Sequence, residues 1–423
     1  MYGGRLVLAG LRSRAATRGA RDRVASFHRS PLRIRFFSYF YPPCIGGGEV
    51  ILQHQAEELA RRGHQVHVHT TPYTNMDGST EVPSGEFLEG GVHVYRRPSS
   101  WAPGRNPLEK NAVTRAFLRD AWLPADLLVS VGYPSLHLDW LSARAAAGGT
   151  PLVVQNYVTA AFLREILGGE GGVNKRVRAE YWRRWVRPLL ARAHAVIADS
   201  PAAAAALSSE LSLSNVHTHV GMAVDPVEFD AVTTARRRDV RALLGLGTDQ
   251  VVLAPSRLSR QKGADLLVEA FLPLARPGWK LVICGPVNEA DFAATVHQAA
   301  AGRTDVVITQ LPRDQLLALF MESSIVALPS RGETVGGVVF EGMYAGALCI
   351  VSDAVEAARD DYLRHGENGL MFPAEDVGAL RAALGRAMTE PMAAERAAAR
   401  RMVESRFTWT ASVDRLLEIY PRA

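Results

Sequence analysis

Two successive series of short apolar runs, separated by helical patterns, constrain this chain of 423 residues more than any other feature. The first series reads "RIRFFSYF", "HQVHVHTT", "GVHVYRR", "ADLLVSVG", "PLVVQNY" and "AHAVIADS". After "GMAVDPVEF" the alternation restarts with "QVVLAPSRL", "WKLVICGP", "TDVVITQL", "SIVALPS" and "LCIVSDA". Strands that alternate with helices predict mostly parallel sheets covered on both faces. The predicted fold class is therefore α/β, with two Rossmann-like, doubly wound domains whose binding crevices face each other across a cleft.

The same pattern sets the predicted domain boundaries. We assign residues 31–222 to an N-terminal domain, residues 223–405 to a C-terminal domain, and residues 406–423 to a final helix. Residues 1–30 contain seven arginines and one acid, Asp22, without the compact apolar core of a secretory signal. We interpret them as a basic, disordered extension that lies outside the fold, with an organelle transit peptide or a wrongly chosen upstream start codon as the alternatives.

Composition excludes several classes of protein. The net charge of +5 and the pI near 9.2 are a mild positive excess, whose basic residues form no recognisable nucleic-acid-binding module. The three cysteines form no C-x-x-C pair, which argues against a disulfide framework or a zinc ribbon. No apolar stretch approaches the roughly 18 residues that span a bilayer. We expect a cytoplasmic protein that does not bind nucleic acid.

A glycine-rich stretch, "YPPCIGGGEV", lies between the first apolar run and the first helical pattern. At a helix start the backbone N–H groups lack intrahelical partners and carry the positive end of the helix dipole, which favours an anion such as phosphate. A tight turn that needs positive φ explains the same glycines equally well. This stretch alone leaves both interpretations open.

In the second domain, "APSRLSRQKGADLL" follows a strand and opens a helix. This places Arg257 and Lys262 at the carboxyl edge of the predicted sheet. Two cations five residues apart on a turn can hold adjacent phosphates, the guanidinium as a bidentate donor and the ammonium as a point charge. Taken alone, they are interpreted as a solvated surface pair.

The segment "PSRGETVGGVVFEGMYAGA" adds two carboxylates on either side of a second glycine pair. Glu333 follows a strand, and Glu341 lies eight positions later on a helix that Gly336 and Gly337 are predicted to begin. With helical rise the carboxylates would be about 12 Å apart, too far to act on one bond. The order of hydroxyl binder, anion site and hydroxyl binder matches a sugar, a diphosphate and a ribose.

These segments together resemble family 4 of the retaining, nucleotide-sugar-dependent glycosyltransferases of GT-B fold. The resemblance rests on the Glu333 to Glu341 spacing, the "SRL" to "KG" segment, "LVICGP" and "YPPCIGGGEVILQHQAEELARRGHQV", and it extends from residue 33 to 420. It implies a hexosyltransferase that uses a nucleoside-diphosphate sugar, with the acceptor on the N-terminal domain and the donor mostly on the C-terminal one. The terminal segment "RFTWTASVDRLLEIY" resembles the helix that crosses back to the first domain.

The resemblance also implies roles for individual residues. Arg257 and Lys262 match the basic pair that neutralises the donor diphosphate as the glycosidic bond breaks. Glu333 matches the glutamate near the transferred sugar, and Glu341 the glutamate that holds the ribose hydroxyls. Donor-binding positions implied on the backbone are Gly46, Gly47, Gly336, Gly337, Val338 and Val339.

No Asp-x-Asp motif occurs in the sequence. Basic side chains and helix N-termini can replace a divalent cation at a diphosphate, so we expect metal-independent transfer with no cofactor besides the donor. A nicotinamide-dependent dehydrogenase shares the predicted sheet, but the sequence lacks a proper G-x-G-x-x-G and its partner acid.

Several positions depart from the family pattern. Tyr157 stands where members commonly have histidine, and Met222 and Ala223 replace the usual Asn-Gly at the hinge. The phenylalanine after Glu333 is absent, as is the Gly-Gly after Asp353. The alternative function is therefore a catalytically degenerate relative that binds a nucleotide sugar or serves as a scaffold.

The segment 174–193 contains seven cations and one acid together with aromatic residues. Such a helix can lie on an anionic membrane surface, where lipid-linked acceptors reside. An exposed helix that packs its aromatic residues on the sheet is the simpler interpretation.

Overall fold

The computed structural model describes residues 30–421, except 45, 76–77, 99–114, 133–135 and 169–172. The basic extension assigned to residues 1–30 lies outside the described residues except for its last position. In the described part of the chain, no helix has the length and apolar content needed to cross a membrane.

The first sheet has eight strands among the described residues, in the order β3-β4-β2-β1-β5-β6-β7-β8. These strands are β1 Arg33–Phe37, β2 Gln65–Thr70, β3 Gly85–Glu89, β4 Val92–Arg96, β5 Leu127–Val131, β6 Leu152–Asn156, β7 Ala195–Ala198 and β8 Val216–Thr218. Every pair is parallel except β3 with β4, which is antiparallel at the edge. Strands β3 and β8 are absent from the sequence prediction; both are edge strands, and β8 has only three residues.

The second sheet is wholly parallel, in the order β11-β10-β9-β12-β13-β14. Its strands are β9 Gln250–Ala254, β10 Trp279–Cys284, β11 Val306–Thr309, β12 Ile325–Leu328, β13 Leu348–Ser352 and β14 Leu370–Phe372. The two-domain α/β architecture predicted from the sequence is confirmed.

Helices cover both faces of each sheet. The α-helices of the first domain are α1 Gly47–Arg61, α2 Arg115–Ala121, α3 Leu136–Gly148, α4 Ala160–Gly168, α5 Val173–Tyr181, α6 Arg187–Arg192 and α7 Pro201–Glu210. Those that follow are α8 Pro226–Asp230, α9 Thr234–Leu243, α10 Ala264–Phe271, α11 Ala290–Ala299, α12 Arg313–Met321, α13 Val338–Ala345, α14 Val377–Thr389, α15 Ala393–Arg406 and α16 Trp409–Ile419. The buried strands are short and rich in Val, Ile and Leu, as expected for sheets buried on both faces.

The strand order reverses direction once in each sheet, and this places the candidate site. In the first sheet β1 lies between β2 and β5, and in the second β9 lies between β10 and β12. A crevice opens beyond the carboxyl ends of the strands at such a switch point. The loops after β1, β9 and β12 border these crevices, and they contain the glycine-rich stretch, the basic pair and Glu333.

The chain crosses between the domains twice at neighbouring positions. The Val224 N–H donates to the Phe407 carbonyl (2.8 Å), and the Trp409 N–H donates to the Val224 carbonyl (3.2 Å). Beyond this crossing, Val413 and Leu416 of α16 are buried in the core of the first sheet. The last helix therefore packs on the first domain.

Candidate functional site

The glycine-rich loop of the first domain leads directly into helix α1. Gly46 is the residue before the helix, in an extended conformation (φ −165°, ψ 167°) with no side chain to cap the free N–H groups. A Cβ atom added at Gly47 would meet only the Cε of Met222, at 3.8 Å, and Gly47 does not have a positive φ. A Cβ at Gly48 would lie 3.1 Å from the Tyr157 ring. A side chain at 48 would therefore need the Tyr157 ring to move by a few tenths of an ångström, whereas position 47 has space for a Cβ.

Lys262 and Glu333 are brought together from two different loops. Lys262 ends a short 3₁₀ turn after β9, Glu333 follows β12, and their side chains form a salt bridge. Both are largely shielded, with side-chain exposures of 14% and 19%. Gly263 has φ +70°, and a Cβ there would lie 2.0 Å from the Pro329 carbonyl oxygen. Only glycine allows the two loops to approach so closely.

Arg257, the other predicted cation, has a different environment. Its side chain is exposed, and it forms no ion pair within the described residues. It lies five positions before Lys262, at the same carboxyl edge of the second sheet. An exposed guanidinium at this edge is available to bind an anion.

The second glycine pair precedes helix α13. Gly336 has φ +69°, and Gly337 directly precedes the first helical residue, Val338. A Cβ at Gly337 would lie 2.5 Å from Met222 Cγ. Met222, in the linker between the domains, therefore packs against the start of α13 and lies close to the start of α1. The two predicted anion sites, one from each domain, converge on this side chain.

Glu341 does not share a partner with Glu333. Its Oε1 accepts a hydrogen bond from Arg313 at 2.5 Å, and its side chain is 15% exposed. The sequence-based distance of about 12 Å between the Glu333 and Glu341 carboxylates assumed a helical rise for every residue between them. Helix α13 begins only at Val338, so that assumption holds for only part of the path. Burial raises the pKa of Glu341, and Arg313 opposes that shift.

A carboxylate from the second domain reaches into the first. Glu356 accepts hydrogen bonds from the Ala160 N–H (2.8 Å), the Ala161 N–H (3.4 Å) and the Ser200 hydroxyl (2.8 Å). It is buried, and it lies at the N-terminus of helix α4. The carboxylate thus connects the two domains beside the cleft.

Asp199 follows β7 on the first-domain side of this contact. Burial raises its pKa well above the usual range, and the nearby charges of Glu356 and Glu333 add to the shift. Its Oδ1 is buried without a hydrogen-bonding partner among the described residues, as are both amide atoms of Asn156, the last residue of β6. Buried polar atoms without a protein partner therefore lie at the carboxyl edge of the first sheet.

Sequence reasoning did not find Arg313, Glu356, Asp199 or Asn156. One signal was available for each: all four lie at the end of a strand or at the start of the element that follows, where the crevice of a parallel sheet opens. Their partners are distant in sequence, and no local pattern identifies them.

No group of three or more histidine, cysteine, aspartate or glutamate side chains that could hold a metal ion occurs in the described part of the chain. The loops at the carboxyl edges of the two sheets contain two glycine-preceded helix starts, a basic pair and two separate carboxylates, and such groups are able to hold an anionic ligand.

Comparisons with known proteins identify the class. The family "Glycosyl transferase 4-like domain" matches residues 46–220, and the family "Glycosyl transferases group 1" matches residues 236–404. D-inositol 3-phosphate glycosyltransferase of Mycolicibacterium smegmatis is 27% identical over 425 residues, covering 95% of this chain and 93% of the relative. Glycogen synthase of Mycobacterium tuberculosis is 26% identical over 416 residues, covering 92% and 94%. The chain belongs to the group 1 glycosyltransferases and is a transferase.

The architecture agrees with this assignment. The crystal structure of Anabaena Alr3699/HepE in complex with UDP has a TM-score of 0.70 at 21% identity, covering 92% of this chain and 99% of the other. The fold is GT-B.

Proposed function

We propose that this glycosyltransferase transfers a hexosyl group from a nucleoside-diphosphate sugar to a hydroxyl acceptor, with retention of configuration and without a metal ion. The observation that carries the proposal is that Met222 lies next to the glycine-preceded starts of both α1 and α13, while Arg257 and Lys262 lie in the loop at the carboxyl edge of the second sheet. The helix starts and the basic pair each favour an anion, and together they suit a diphosphate. The UDP complex of the structural neighbour supports a nucleotide ligand for this fold.

The proposed chemistry follows from where charge develops. The bond from the sugar C1 to the diphosphate oxygen breaks and leaves its electron pair on the diphosphate, while the acceptor oxygen bonds to the same face of C1. The acceptor proton passes to the departing phosphate oxygen. Arg257 and Lys262 would stabilise the leaving group, and Lys262 can keep Glu333 as a partner because its ammonium has three donors.

Glu341 would accept hydrogen bonds from the ribose hydroxyls, and Glu333 would lie next to the transferred sugar. On the first domain, the buried side chains of Asn156 and Asp199 lie at the carboxyl edge of the sheet, on the side from which the hydroxylated acceptor would enter the cleft. The backbone amides near Gly336 and Val338 would contact the phosphates.

The direct test is donor hydrolysis and transfer in the presence of a metal chelator. A panel of UDP-, GDP- and ADP-hexoses is incubated with the full chain, nucleotide release is measured, and the anomer formed is followed by NMR. We expect turnover with chelator present and loss of most activity in Glu333→Ala and Lys262→Ala, but not in Lys280→Ala, a control lysine bonded to the Gly245 carbonyl. An inverted anomer would contradict retention, and nucleotide binding without turnover of any donor would favour a scaffold role.

We further propose peripheral association with anionic membranes through the segment 174–193. The structure forms it as helix α5, a π-helical turn at Trp182–Val186, and helix α6. Trp182 is buried, whereas Trp185 is 67% and Val177 63% exposed, next to exposed Arg183 and Arg184. Exposed apolar groups among cations suit an anionic lipid surface.

Sedimentation with phosphatidylcholine vesicles, with and without phosphatidylglycerol, tests this association. We expect binding only to the anionic vesicles and its loss in Trp185→Ala. Leu243→Ala, which removes an exposed leucine of the second domain, serves as the control. Equal sedimentation of Trp185→Ala and the wild type would show that this segment is not the membrane contact.

A further inference from the structure

Arg313 contacts two carboxylates from two different helices. One guanidinium nitrogen donates to Glu341 Oε1 at 2.5 Å, and another donates to Glu228 Oε2 at 2.6 Å. Arg313 is the first residue of α12 and follows β11, Glu341 lies in the first turn of α13, and Glu228 belongs to α8, just after the interdomain linker. A planar guanidinium bonded on both sides has little rotational freedom.

The geometry leaves one oxygen of Glu341 available. Arg313 bonds only to Oε1, and Oε2 has no hydrogen-bonding partner among the described residues. A carboxylate fixed through one oxygen can present the other to a hydroxyl in a defined direction. The ion pair therefore restrains the side chain and keeps it able to bind a ligand.

The electrostatic environment of Glu341 also assigns a role to Arg313. Burial favours the neutral form of Glu341, and the adjacent guanidinium is the main favourable influence on its ionised form. The charged groups around this cluster include Arg313 from α12 and Glu228 from α8. His54 of α1 lies close to them, and it also interacts electrostatically with Glu57 and Asp225. Burial lowers the pKa of His54, so it is mostly neutral at pH 7 and adds little charge.

We propose that Arg313 is a positioning residue for donor binding: it holds the Glu341 carboxylate ionised and oriented toward the ribose hydroxyls, and Glu228 anchors the guanidinium from the opposite side. The inference rests on the proposed function, in which Glu341 binds the ribose. An ionised carboxylate accepts hydrogen bonds from both ribose hydroxyls, whereas a protonated one loses part of that capacity.

The experiment measures nucleotide affinity as a function of pH. Isothermal titration from pH 5 to 8 uses whichever of UDP, GDP and ADP binds the wild type most tightly. Affinity falls as pH drops through the pKa of Glu341, because only the ionised form accepts both hydroxyls. Without Arg313 this pKa is higher, so the fall begins at a higher pH.

Arg313→Gln should weaken binding by about tenfold at pH 7, which corresponds to the loss of roughly one charge-assisted hydrogen bond. The acid limb, meaning the fall of affinity at low pH, should begin at a higher pH than in the wild type. Arg313→Lys retains the charge, so it should keep the wild-type acid limb while binding somewhat more weakly. Glu228→Gln should have a smaller effect. The matched control is Arg236→Gln, which removes a 2.9 Å ion pair between Arg236 and Asp314. Asp314 directly follows Arg313 in the sequence.

The outcomes separate this inference from the proposed function. Unchanged nucleotide affinity in Glu341→Gln would show that Glu341 does not bind the ribose. Loss of affinity in Glu341→Gln but wild-type affinity and pH profile in Arg313→Gln would overturn only the positioning role. Tighter binding in Arg313→Gln would also overturn it, because it would mean that the arginine competes with the ribose. Thermal melting checks that each variant is folded, and Arg313→Lys provides a readout if Arg313→Gln is not.

Discussion

Replacing Glu356 with alanine tests whether one buried carboxylate holds the two domains together. Its oxygens accept from the Ala160 N–H at 2.8 and 3.1 Å and from the Ser200 hydroxyl at 2.8 Å. Ala160 begins helix α4, and Ser200 caps helix α7 by accepting from the Ala203 N–H. The carboxylate therefore bonds to the N-terminal ends of two helices in the other domain.

The magnitude follows from these contacts. Hydrogen bonds to a charged group contribute about 1.5–3 kcal/mol each, and the partners of Glu356 are neutral donors. Water can reach the freed donors once the cleft opens, so we take the lower end for each of the two 2.8 Å hydrogen bonds, about 3 kcal/mol of closure free energy in total. That corresponds to roughly a 100-fold change in the ratio of closed to open molecules.

Two measurements follow this change. Small-angle scattering reports the radius of gyration, which should increase in Glu356→Ala because the open form is more extended. Hydrogen exchange reports the peptide that contains Ala160 and Ala161, whose amides should exchange faster. Glu356→Gln keeps the shape and one acceptor oxygen, so it should lie between the wild type and Glu356→Ala. Glu404→Ala, which removes a surface pair with Arg400, is the control.

Unchanged scattering in Glu356→Ala would refute the reasoning, even if the amides of Ala160 and Ala161 exchanged faster. In that case the carboxylate would only cap helix α4, and other contacts would hold the domains. A rise in the radius of gyration in the Glu404→Ala control would show that scattering responds to a general loss of stability rather than to closure.

The remaining predictions concern two glycines that face the cleft. Gly47→Val should leave the free energy of unfolding within about 1 kcal/mol of the wild type, because a Cβ there has only Met222 Cε within 4 Å, at 3.8 Å. The same substitution should abolish transfer. Full activity would assign this glycine to an ordinary turn. Gly337→Ala should destabilise by about 1–3 kcal/mol through overlap with Met222 Cγ, and adding Met222→Ala should relieve much of that loss in urea unfolding; no relief would contradict the packing explanation.

The fold could be predicted from the sequence because its signal is local. Buried parallel strands are short apolar runs, and the alternation with helical spacing occurs twice. The same rule placed Lys262 and Glu333 at strand ends, and the structure brings them into contact. The edge strand β3, "GEFLE", was not predicted because three of its five residues are exposed and it lacks the buried pattern.

The contacts that organise the site could not be predicted, because they join distant positions. Arg313 is separated by 28 residues from Glu341 and by 85 from Glu228, and Glu356 is 196 residues from Ala160. A sequence shows that these residues are charged, but the choice of partner depends on which sheet edges approach each other in space.

Gly47 and Gly337 occupy similar positions, but the physical reasons for a glycine at the two positions differ. Both lie at the start of a helix at a sheet switch point, and the sequence gives them the same role. At 337 the side chain of Met222 fills the space that a Cβ would need, at 2.5 Å from Cγ, whereas at 47 only the flexible end of that side chain is near, at 3.8 Å. Packing within the protein therefore explains the glycine at 337. The glycine at 47 has no such internal explanation, and this is why its substitution reports on the ligand.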